Sequence, residues 1–144
     1  VLKDTPMEQL YHEGIYSPLT LEEAVELCAA MTELFSAGGI PVIRTGIHPL
    51  SDLGKGTVVS GPYHPAFGFL VKARIRRNEL EKMIDGACRS RPVENMTIVL
   101  PGTNTEEYIG LKKENLGWLN ARFGRTLTFI IERSLSCPAI RFTG

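Results

Sequence analysis

Two groups of side chains in this sequence have the types and spacing to do chemistry. The first is Arg44, His48, Asp52, Tyr63 and His64, gathered in and just before a Gly/Pro-rich stretch from 47 to 65. A guanidinium presents a fork of donors that matches a carboxylate or phosphate, so Arg44 is a candidate anion contact. Imidazoles change charge near neutral pH, which makes His48 and His64, with the Tyr63 hydroxyl beside them, candidates for substrate contact. The same residues also fit a structural role, because His48-Pro49 and His64-Pro65 are turn-forming pairs whose rings can satisfy loop carbonyls. The second group is Gly110, Lys112, Lys113 and Asn115, within Ile109-Gly-Leu-Lys-Lys-Glu-Asn-Leu-Gly-Trp-Leu119. A glycine lets a nucleic-acid backbone come close and a lysine pair neutralises its phosphates.

Neither group completes a catalytic centre. The three histidines share no ligand spacing, so no metal site is expected. Cys28, Cys88 and Cys137 are odd in number and far apart, which fits neither a disulfide framework nor a metal site, and they read as incidental thiols in a reducing cytoplasm. Leu53-Gly-Lys-Gly-Thr57 lacks the spacing of a phosphate loop. There is no Gly-x-Ser-x-Gly elbow and no Cys-x3-Cys-x2-Cys cluster motif. No catalytic residue and no cofactor is therefore assigned to this chain, and alone it is not expected to be an enzyme. A basic run, Lys72, Arg74, Arg76 and Arg77, places Lys72 and Arg76 on one helical face. It reads either as an anion- or RNA-facing stripe or as the solvated side of an amphipathic helix.

The elements that must position these residues follow from periodicity and punctuation. Val1–Lys3 reads as the end of a strand, and Asp4 or Thr5 can cap a short helix with Pro6 at its first position and Gly14 beyond its end. Thr20-x-x-Glu23 is a capping box that opens a helix through about Ala37. Leu21, Ala24, Val25, Leu27, Cys28, Met31, Leu34 and Phe35 recur at helical spacing and predict one buried face. Ile40–Gly46 reads as a strand, with Pro41 at its start. Helical character returns from Ala66 to about Cys88, followed by a polar connector to Asn95. Next come a strand at Met96–Leu100, a Pro101-Gly102 turn, helices at Thr105–Ile109 and Lys112–Phe123, a strand at Thr126–Glu132 and a last one near Ala139–Phe142. The expected class is α/β or α+β, a mixed sheet flanked by helices, with a β-α-α-β segment in the C-terminal third.

Composition sets the outer bounds. Formal net charge is zero, against a chain that coats nucleic acid by bulk charge. With 43% apolar and 22% charged residues the chain has the makings of a core and is not a disordered segment. No apolar run approaches a membrane span and no signal sequence is present, so no membrane partner and a cytoplasmic location are expected. Asn95-Met96-Thr97 matches a glycosylation sequon but enters an expected strand, and is discounted. The oligomeric state is not legible.

The first half resembles the region that follows the barrel in radical S-adenosylmethionine proteins, in the Elongator catalytic-subunit and oxygen-independent coproporphyrinogen-oxidase-like branches. The resemblance rests on Val1–Thr5 as the tail of a tyrosine-proline-threonine type strand, Leu10-Tyr11…Gly14…Tyr16-x-Pro18, Leu21-Glu-Glu-Ala-Val25, Val42-Ile-Arg44, Ile47-His-Pro49 and Gly61-Pro-x-His-Pro-Ala-Phe67. It implies that the chain, which opens on Val1 in mid-element, is cut from a longer polypeptide. In that polypeptide an upstream barrel would carry a [4Fe–4S] cluster and bind S-adenosylmethionine. Residues 1–90 would form the post-barrel region, covering the substrate side, with Arg44, His48, Tyr63 and His64 nearest the substrate. Residues 91–144 resemble a KH-type RNA-binding module, with Gly110 at the first loop glycine, Lys113 in place of the second, and Leu116 and Leu119 at the expected apolar spacing. Three roles result: an accessory domain contacting substrate, a KH-like RNA- or tRNA-binding module using Gly110, Lys112, Lys113 and Asn115, or a structural domain that dimerises through its basic helix.

Overall fold

The computed structural model describes residues 1–47, 56–90, 96–124 and 126–142. They form two compact units, Val1–Val71 and Lys72–Gly144.

In the first unit, α1 (Pro6–His12) begins with proline at a position where no backbone donor is needed. The Thr5 hydroxyl donates to the Leu2 carbonyl at 2.6 Å instead of capping the helix, and the Glu8 carboxylate accepts from the Asp4 N–H at 2.7 Å. Helix α2 (Leu21–Ala37) has the full capping box: Glu23 N–H donates to Thr20 Oγ1 at 3.2 Å, and Thr20 N–H donates to Glu23 Oε2 at 2.8 Å. The backbone and hydroxyl hydrogen bonds from Thr20 hold the Glu23 carboxyl below the usual glutamate range. Gly38 and Ile40 close the helix, their N–H groups donating to Leu34 and Phe35 carbonyls.

Two expectations are corrected here. Helix α2 is not apolar on one buried face. Ala24, Val25 and Ala29 are buried, but Leu27, Met31 and Leu34, spaced i, i+4, i+7, form a second apolar stripe that stays exposed, with Leu34 71% exposed. Residues 40–46 form no strand, and Ile43 is 97% exposed. A strand needs a ladder partner, and Val1–Lys3 is already taken. Lys3 N–H donates to the Thr57 carbonyl at 2.8 Å, Val59 N–H to Val1 at 3.0 Å and Val1 N to Ser60 at 2.7 Å, around a Leu2–Val58 antiparallel bridge. The pairing segment at 57–60 lies inside the stretch read from sequence as loop.

Helix α3 (Phe67–Ser90) begins in the first unit and runs on into the second. The second unit continues with β1 (Met96–Pro101), α4 (Thr105–Ile109), a 3-10 turn (Leu111–Lys113), α5 (Glu114–Phe123), β2 (Thr128–Glu132) and β3 (Ala139–Phe142). The sheet order is β2-β1-β3, with β2 parallel to the central strand and β3 antiparallel to it. A parallel pair needs a crossover, and α4 and α5 supply it. Alternation along β1 sends Met96, Ile98 and Leu100 into one apolar cluster with Leu80, Ile84, Tyr108 and Leu119. Each fully buried leucine or isoleucine there contributes about 1.5–3 kcal/mol. The mixed sheet with flanking helices is the architecture expected from the sequence. The helix expected from Lys112 starts instead at Glu114, because Lys112 and Lys113 take left-handed backbone angles (φ 50° and 65°). Among the described residues, no helix is long and apolar enough to cross a membrane.

Candidate functional site

A cavity of about 350 Å³ lies in the first unit. The capping box fixes where α2 starts, so Ala24 and Cys28, one turn apart, both face it. The paired segment contributes Val58 and Ser60, and the Gly61–Pro62 turn carries the chain to Tyr63 and His64, which also line it. Phe67, from the start of α3, packs against Gly46 (φ 88°), where a Cβ would stand 2.8 Å from the ring. Only glycine lets the chain pass so close to Phe67.

His64 Nδ1 accepts the Ala66 N–H at 3.1 Å. With Nδ1 accepting, the ring's hydrogen is on Nε2. From the sequence this ring is expected to satisfy a loop carbonyl; it instead accepts a loop N–H, and the same residue lines the cavity. Tyr63 joins it in the lining, Arg44 is exposed and is not part of the lining, and His48 and Asp52 lie outside the described residues. No lysine, arginine, aspartate or glutamate lines the cavity among the described residues. Sequence reasoning missed Ala24, Cys28, Val58 and Ser60. The β-branched run Thr57-Val58-Val59 before Gly61-Pro62 was the available signal for the last two.

In the second unit, Gly110, Lys112, Lys113 and Asn115 meet in the turn between α4 and α5. Lys112 and Lys113 are exposed, whereas Asn115 is 5% exposed and faces inward. Its amide nitrogen donates to the Ala73 carbonyl at 2.8 Å, Glu107 at 3.1 Å and Tyr108 at 3.3 Å, fastening the turn to α3 and α4. Gly110 (φ 77°, ψ 167°) sits so close that a Cβ there would stand 2.9 Å from Asn115 Cγ.

The basic run on α3 is solvated only in part, with Lys72 exposed. Arg74 and Arg77 are buried, and the Arg77 guanidinium lies 4.2 Å over the Trp118 ring. Arg76 pairs with Glu79 at 3.0 Å and Glu107 at 3.5 Å, and Lys72 reaches Glu107 at 3.7 Å. Packing of α3 against the α4–α5 pair takes up Arg74, Arg76 and Arg77. The Tyr108 hydroxyl donates to Glu79 Oε2 at 3.1 Å; burial, then the Glu79 charge and hydrogen bond, push its pKa up to about 12, against an opposing pull from Arg76. Among the described residues, no group of three or more His, Cys, Asp or Glu is placed to hold a metal ion.

A family model described as Radical_SAM C-terminal domain matches residues 1–77. No curated protein and no solved structure matches the chain.

Proposed function

Because the chain belongs to the Radical_SAM C-terminal domain family, we propose that it is the accessory domain of a cytoplasmic radical S-adenosylmethionine enzyme, in the Elongator catalytic-subunit or coproporphyrinogen-oxidase-like branch. It contributes substrate contacts and leaves the redox chemistry to an upstream barrel of the same polypeptide. In this reading the [4Fe–4S] cluster and S-adenosylmethionine belong to that barrel, and no residue here holds them. The observation that carries it is the cavity, which lies beside Val1–Lys3, the segment that the family resemblance joins to the barrel. Tyr63 and His64 take part in its wall; Arg44, which does not, and His48, which lies outside the described residues, are the other proposed substrate contacts. The exposed stripe Leu27, Met31 and Leu34 supports the same reading, since apolar surface left uncovered fits a domain that packs on another. In the whole gene product, Arg44→Ala and His64→Ala are expected to impair substrate turnover while cluster content stays intact; normal turnover removes the site assignment. An antibody against this domain should detect a native band well above 15.9 kDa in the source cell. A band at that mass removes the enzyme reading.

A second reading is favoured by the exposed lysines beside Gly110: the β-α-α-β unit contacts RNA, tRNA included, through the α4–α5 turn. There Lys112 and Lys113 would meet phosphate, and Asn115 would hold the turn in shape. Replacing both lysines with alanine should weaken RNA binding and flatten its salt dependence by roughly 1.4 in log–log slope, about 0.7 per contact on a single strand. An unchanged slope ends this reading. A structural domain that dimerises through its basic helix is the third reading, and the oligomeric state in sedimentation, set against RNA titration, separates it from the second.

A further inference from the structure

We propose that the outer edge of β2 pairs antiparallel with the β2 of a second copy of this chain, giving a closed dimer with one sheet of six strands, three from each copy. The proposal concerns the second unit alone and does not depend on the reading of the cavity. It places the contact between copies on a strand edge instead of on the basic helix.

Three observations carry it. The first is an asymmetry between the two edges of the sheet, which is ordered β2-β1-β3. Edge strands are ordinarily kept from pairing by shortness, charge or proline. β3 has all three: it is four residues long, follows Pro138 directly and carries Arg141. β2 has neither charge nor proline from Thr126 to Ile131, and among the described residues no strand lies beyond it. The second is apolar exposure on both sides of that edge. Ile130 and Ile131 project to opposite faces and are 40% and 58% exposed. A strand laid alongside covers both at once, whereas a partner docking on one face covers only one.

The third observation selects the occupant. Thr128-Phe-Ile-Ile-Glu132 is symmetric in type about Ile130, polar at each end and apolar between. Antiparallel pairing about a two-fold axis at Ile130 sets Ile130 against itself, Phe129 against Ile131, and the Thr128 hydroxyl against the Glu132 carboxylate. Parallel pairing in register would instead oppose Glu132 to Glu132, and like charges directly opposite are unfavourable. Two-fold pairing also closes the assembly, since each copy uses its one unguarded edge and the dimer ends on β3 at both sides. A contact of five residues per strand lies at the low end of interface sizes. Below about 1,200 Å² the dimer is expected to be weak, with a dissociation constant on the order of tens of micromolar.

The test is sedimentation equilibrium of the 144-residue chain, with a charge swap at the axis. The parent should pass from monomer to dimer as concentration rises. Ile130→Lys and Ile130→Glu, each opposing its own charge across the axis, should each weaken self-association about tenfold or more. Mixed in equal amounts they should form a heterodimer with affinity close to the parent's, a rescue that also shows both variants to be folded. Lys72→Gln, on the basic helix, should dimerise as the parent does. A parent that stays monomeric overturns the proposal, and a loss of RNA affinity in Ile130→Glu would then assign the edge to nucleic acid. Undiminished dimerisation of both Ile130 variants overturns it too. So does loss of the dimer in Lys72→Gln, which puts the contact on α3. Weakened variants that fail to associate when mixed overturn the two-fold register, and growth beyond the dimer overturns the closed arrangement.

Discussion

Gly110→Ala should be among the most damaging single-methyl additions to the second unit. At φ 77°, ψ 167° the backbone lies in a region essentially reserved for glycine, where another residue costs on the order of 1–3 kcal/mol. The added Cβ would also stand 2.9 Å from Asn115 Cγ and 3.0 Å from the Asn115 backbone nitrogen. Relief requires moving the first turn of α5, because Asn115 is itself fastened to three carbonyls. Overpacking of this kind costs about 1–3 kcal/mol. A combined loss of roughly 3 kcal/mol is a large share of the stability of a unit this size, on the order of 4–11 kcal/mol. The melting temperature should fall by about 10–20 °C. The assay is thermal unfolding followed by far-UV circular dichroism and by the fluorescence of Trp118, the single tryptophan, which reports on this unit. Gly117→Ala is the matched control, since nothing lies within 4 Å of a Cβ there and the residue sits within α5. It should stabilise by about 0.5–1 kcal/mol through helix propensity. A Gly110→Ala melt within a few degrees of the parent, or a destabilising Gly117→Ala, would refute the geometry assigned to the turn.

Asn115→Ala strands carbonyls that now accept from its amide, and should cost about 2 kcal/mol in urea unfolding; a neutral result would mean the amide does not hold the turn. Tyr108 should ionise only at about pH 12 in a spectrophotometric titration, and Tyr108→Phe should remove that step. Because its folded pKa lies above the ordinary value of 10.0, the stability it contributes is complete below pH 10 and is lost as pH rises towards 12. Thr20→Ala should cost the α2 cap about 1 kcal/mol. The Glu23 carboxyl is held below its ordinary pKa, so the cap should be intact above the usual glutamate range and weaken as pH falls through the lowered value, a dependence that Glu23→Gln should abolish.

Local punctuation was the part of the fold most legible in the sequence. The Thr20 capping box, Pro6 at the start of α1 and the strand from Met96 depend on near neighbours, and each appears where the sequence places it. What failed depended on partners distant in the chain. Residues 40–46 have strand-like composition, but Val58 and its neighbours are the ones that pair with Val1–Lys3. Arg76 and Arg77 look solvated until Glu79, Glu107 and Trp118 are packed beside them. For the cavity, His64 and Tyr63 were legible as chemistry-bearing types, while the small and apolar wall residues carry no local mark that separates them from core.

The central place of β1 sets a demand on biosynthesis. It is made first of the three strands, yet both of its neighbours are encoded after it. The parallel one, β2, is completed about thirty residues later. At ordinary translation rates of roughly 5–20 residues per second, Met-Thr-Ile-Val-Leu-Pro waits on the order of seconds with both edges unpaired. Such a run is prone to pair with other chains. A chain terminated anywhere between Pro101 and Thr128 would keep that exposure permanently. Any shortened form of this domain that is to stay soluble must therefore extend through β2 and preferably β3, whatever the function under test.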